Sequence, residues 1–139
     1  MTALPPRAKG FGERSSTPAS WDLPRLTPKE RQAAYRFMAA IVDEWQSDGI
    51  EVPGCWWFHR HLARRLAAVI GWYIEAHDTK TGTARAAAEW WASTWGLAGL
   101  QDEWAKIGGH SVHNGVHVDE AGTEKPMPPF NEFVAGLAP

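Results

Sequence analysis

The chain has 139 residues, 44% of them hydrophobic and 22% charged, with a formal net charge of −2. That balance describes one ordinary globular domain and excludes a disordered chain, and the length suffices for a core without disulfide staples. The near-neutral charge gives no bulk attraction to nucleic acid or to a membrane surface, and no apolar run is long enough to span a bilayer.

Residues Met1 to Gly10 hold Pro5, Pro6, Arg7 and Lys9 but no apolar stretch, so they are not expected to be a signal peptide. Cys55 is the only cysteine, which precludes an intrachain disulfide and agrees with a reducing compartment. A cytoplasmic location is expected. The outlier is tryptophan, present nine times. A domain of this size cannot bury every one completely, so some are expected at a rim or a partner surface.

Residues 1–26 are rich in Pro, Ser, Gly and Arg without a period, and are expected to form a flexible N-terminal arm anchored only by Trp21 and Leu23. Thr27-Pro28-Lys29-Glu30 is a capping box with proline at the first helical position. Tyr35, Met38, Val42 and Trp45 then recur at steps of three and four, which predicts a first helix from Pro28 to Ser47, stopped at Asp48-Gly49. A second helix is expected from Cys55 or Trp56 to about His77, with Phe58, Leu62, Leu66, Val69 and Tyr73 as its inward stripe. A third, capped by Thr83, runs from Ala84 to about Trp95 on an alanine-rich stretch of high propensity. A shorter helix with Leu100, Trp104 and Ile107 in phase ends at Gly108-Gly109.

Residues 110–139 read as an irregular, histidine-containing tail. Val112, Val116 and Val118 alternate weakly, one short hairpin can turn at Ala121-Gly122, and Phe130, Phe133, Val134 and Leu137 suit a short C-terminal helix. The expected fold is thus all-α: a small bundle of three main helices plus shorter ones over 27–109, between the arm and the tail.

Four patterns can carry chemistry. Cys55 and His59 are four apart, on one face if the second helix includes both, and His110 and His113 are three apart beside the glycine pair. Together they supply the sulfur and nitrogen donors of a closed tetrahedral zinc site that would pin the tail to the second helix; His61 and His117 are the competing candidates. Arg60, Arg64 and Arg65 lie in a stretch free of acids between Glu51 and Glu75, with Trp56, Trp57, His59 and His61 interleaved, a combination suited to phosphate and base contacts. Cys55 with a histidine can form a nucleophile–base pair, although the chain has no nucleophile elbow, phosphate loop or paired-carboxylate signature. Finally, in the doublets Trp56-Trp57 and Trp90-Trp91, neighbours point about 100° apart on a helix, so one ring can face the core and the other its edge. Trp56 and Trp90, with Arg60 and Arg64, are the expected partner contacts.

The run Cys55-Trp56-Trp57-Phe58-His59, followed by Leu62, Leu66 and Trp72, then Glu89-Trp90-Trp91, then Gly108-Gly109-His110, resembles a domain-of-unknown-function family of actinobacterial plasmids, integrated conjugative elements and phages. The resemblance covers about Trp45 to His113. It implies a mobile-element or phage gene in a high-GC host and carries no known activity; this chain offers His110 and His113 where the family pattern places a late Cys or His. The leading expectation is a non-enzymatic accessory protein acting through tryptophan-rich protein contacts. The alternatives are a zinc-stabilised nucleic-acid-binding module and a small cysteine-dependent hydrolase.

Overall fold

A computed structural model describes Pro18 and residues 20–137. The remainder of the expected arm, residues 1–17 and 19, lies outside the described residues. Helix α1 spans Pro28–Ser47, α2 Arg60–Ala76, α3 Ala84–Ala92 and α4 Leu97–Ala105. Three short strands follow, β1 Ser111–His113, β2 Val116–Val118 and β3 Glu124–Pro126, and then α5 Phe130–Ala135. The protein is therefore mostly helical, but the all-α expectation is corrected: the tail holds a three-stranded antiparallel sheet in the order β1-β2-β3.

The capping box forms as its residue types dictate. The Glu30 N–H donates to Thr27 Oγ1 at 3.2 Å, and the Thr27 N–H donates to Glu30 Oε1 at 2.9 Å. Thr83 caps α3 by accepting from the Ala86 N–H at 3.0 Å.

Two helix bounds move from their expected places. Helix α2 starts at Arg60, because Pro53 to Phe58 folds instead as successive turns, with Trp56 N–H on Pro53 O and Phe58 N–H on Cys55 O, and His59 is extended as the N-cap. Helix α3 ends at Ala92, where Ser93 becomes extended, which leaves Trp95 in the turn before α4.

The core is aromatic in two places. Trp45, Tyr73 and Trp90 meet with ring centroids 4.8–5.4 Å apart, and the Trp90 indole N–H donates to the carbonyl of Val69 at 2.9 Å, which satisfies its one polar group on burial. Tyr35, Trp56, Trp57, Phe130 and Phe133 form the second cluster and dock α5 on α1.

The described part of the arm packs on this core. Leu23 and Leu26 are buried, and Arg31 donates to both their carbonyls. The Trp21 ring lies on Gly71, where a Cβ would come within 2.7 Å of it; only the missing side chain permits so close an approach.

The sheet has little core of its own. Strands β1 and β3 are exposed throughout, and within β2 only His117 is buried. Asn114 and Gly115 both take positive φ, 54° and 74°, the combination of a type I′ hairpin turn. The β2–β3 connection turns at Ala121-Gly122, with Gly122 at φ 84°, in line with the expected hairpin.

Candidate metal centre

Three separate segments bring four donors together: Cys55 and His59 from the turns before α2, His110 from the segment after α4, and His117 from β2. Their ligand atoms all lie within 4.8 Å of one another. His110 Nδ1 is 3.3 Å from His59 Nε2, 3.1 Å from His117 Nε2 and 4.0 Å from Cys55 Sγ. For a tetrahedral ion with bonds of about 2.0–2.1 Å to nitrogen and about 2.3 Å to sulfur, neighbouring donors sit roughly 3.4–3.6 Å apart. The His110 distances fall on either side of that range, and the four side chains are close enough together to hold one ion.

Burial sets the electrostatics. Desolvation lowers the pKa of His59 and of His117, and the neighbouring imidazoles lower each further. Burial likewise raises the Cys55 thiol. His59 and His117 are thereby held in the neutral form that carries a lone pair for a metal. A bound cation reverses the cysteine's preference and takes it as thiolate. A cleft of about 980 Å³ between the loop at 49–55 and α4 reaches Cys55 and His110 and supplies an entry path.

The expected set named His113 where the structure has His117. Residues along a strand alternate faces, so the side chain of His113 sits opposite Val116 on one face of the sheet while His117 sits opposite Val112 on the other. His113 is exposed. The three-residue spacing of His110 and His113 has meaning on a helix and none on a strand. The missed signal is Asn114-Gly115: read as a hairpin turn, it assigns His117 to the second strand. Cys55 and His59 do come together, through turns and not through one helix face. His61 is exposed at the first turn of α2.

The partner-contact residues fall differently. Trp56 and Trp90 are buried, at 6% and 0% exposure, which corrects the expectation that they are surface anchors. Trp56 lies in the turns, wedged against Tyr35 and Phe130; in the second doublet the outward ring is Trp91. Among the described residues the exposed tryptophans are Trp91 at 49% and Trp95 at 80%. Arg60 is exposed, and Arg64 pairs with Asp22 at 2.8 Å, holding that carboxyl below its ordinary value together with Arg25. Arg65 donates to the carbonyl of Thr94 at 2.7 Å and fastens the α3–α4 turn.

No family model, no curated protein and no solved structure matches the chain. What the structure itself defines is a mostly helical domain with a four-donor Cys/His cluster that can hold a metal ion. Among the described residues no helix is long and apolar enough to cross a membrane.

Proposed function

We propose that this chain is a zinc-structured, non-catalytic interaction module. One Zn²⁺ is held by Cys55 Sγ, His59 Nε2, His110 Nδ1 and His117 Nε2, and ties the small sheet to the helices. The observation that carries the reading is the convergence of four donor atoms from three chain segments. Mixed sulfur and nitrogen donors in a tetrahedral arrangement favour zinc, and a shell filled by four protein ligands leaves no position for a reacting water, as in structural sites. The module acts by contact through the exposed rings of Trp91 and Trp95, consistent with an accessory protein of a mobile element, as the sequence resemblance implies. The nucleic-acid reading has less support, since Arg64 is engaged by Asp22 and Arg65 by a backbone carbonyl. The hydrolase reading has less still, since burial disfavours the Cys55 thiolate that a nucleophile needs.

Elemental analysis of purified protein is expected to find one zinc per chain, and cobalt replacing it should show the absorption of a tetrahedral thiolate-containing site. His117→Ala should lose the metal, and His113→Ala should keep it. A wild-type protein that neither contains nor takes up zinc, or a His117→Ala protein that retains it with full affinity, would overturn the reading.

A further inference from the structure

The other nitrogen of His110 is also engaged. Its Nε2 faces Glu120 Oε2 in a short contact, with the imidazole side chain 6% exposed and the carboxylate 63% exposed. Glu120 belongs to neither the donor set nor any pattern discernible in the sequence, yet its position is built. The Asp119 carboxylate accepts from the N–H groups of Ala121 and Thr123, at 3.0 and 2.8 Å, and the Gly122 N–H donates to the Asp119 carbonyl. This closed turn sets Glu120 against Gly109, where a Cβ would lie 3.6 Å from that of Glu120. The glycine before His110 therefore lies beside the backbone and Cβ of the residue whose carboxylate the imidazole of His110 meets.

We infer that Glu120 is the positioning residue of the metal centre: its carboxylate accepts the Nε2–H of His110, fixes the tautomer with its lone pair on Nδ1, and aims that nitrogen at the ion. The inference rests on the zinc reading above and deepens it. Imidazole has two chemically similar nitrogens, and which one binds is decided by the hydrogen bond the other makes. His110 Nδ1 is the atom nearest the other three donors, so the lone pair must be there. A carboxylate on the far side also places a negative charge next to the centre. It offsets the single positive charge left when Zn²⁺ is bound by one thiolate and three neutral imidazoles.

The test is zinc affinity, measured by competition with a chromophoric chelator on the full chain and on Glu120→Ala, Glu120→Gln and Glu124→Ala. Glu120→Ala should bind zinc about 10–100-fold more weakly. Glu120→Gln, whose amide oxygen can still accept the Nε2–H, should recover much of that loss. Glu124→Ala removes the same charge from the exposed strand β3 and should stay within about twofold of wild type, since a surface charge at a distance is screened. Nitrogen-15 spectra of the zinc-loaded wild type should show His110 metallated at Nδ1 and protonated at Nε2, with that proton exchanging faster in Glu120→Ala. Equal zinc affinity in Glu120→Ala and wild type, or metallation at Nε2, overturns the role of Glu120 and leaves the zinc centre standing. Absence of zinc binding by the wild type overturns both.

Discussion

Tyr73 shows how one side chain reports on its surroundings. It is 4% exposed between Trp45, Trp90 and His77, and its hydroxyl donates to Glu44 Oε2 at 3.4 Å. Burial, then the charge of Glu44, pushes its pKa up to about 12 from 10.0. The folded value lies above the unfolded one, so the neutral phenol's contribution to stability is complete below pH 10 and is lost as pH rises from 10 through 12. The chain has two tyrosines, so in Tyr35→Phe the phenolate absorbance belongs to Tyr73 alone. Its midpoint is expected near 12, and a midpoint near 10 would show a phenol in contact with water. At the same scale, His113 and His117 are indistinguishable by residue type. Only the alternation of a strand separates the buried histidine that joins the Cys55, His59 and His110 cluster from an exposed one.

Elements whose causes are local are legible in the residues themselves. Helix α1 begins and ends where its capping box and its Asp48-Gly49 stop require, because those interactions join residues within four positions of one another. Replacing Thr27 by Ala removes the acceptor for the Glu30 N–H and should cost about 1 kcal/mol, seen as a lowered thermal midpoint; an unchanged midpoint would deny the cap its role. The second helix starts later than its pattern suggests, because the run from Cys55 to Phe58 is apolar enough to continue a helix. The turns prevail there because they let Trp56 and Trp57 both reach the aromatic cluster around Phe130 and Phe133, which one helix face cannot arrange. The sheet is only partly legible: its strands are three residues long, too short for a period to declare itself against the surrounding polar residues.

Over the whole molecule, the helices and the sheet differ in what holds them. The helical part has a continuous buried core reaching from Leu23 to Val134, whereas strands β1 and β3 are exposed from end to end. In the proposed zinc form, His110 and His117 connect the sheet to Cys55 and His59, so withdrawal of zinc by a strong chelator should loosen the sheet and spare the helices. A glutamyl endopeptidase is expected to cut at Glu120 and Glu124 after zinc removal and slowly before it, while the far-UV helical signal persists. An unchanged cleavage pattern in verified zinc-free protein would mean that the sheet is held by other contacts.

Composition and local pattern are enough to determine a small, tryptophan-rich, mostly helical domain, the start and end of α1, and that Cys55 and a set of histidines are the residues worth testing, since each of these depends on residue type and near neighbours. Which histidine completes the cluster, that Glu120 stands behind His110, and that Trp91 and Trp95 face outward while Trp56 and Trp90 face in, are decided by the tertiary structure alone. They depend on the relative placement of distant segments, such as Cys55 and His117, 62 positions apart, and Trp56 and Phe130, 74 apart. That placement comes from cooperative packing over the whole core, which no local window of residues contains.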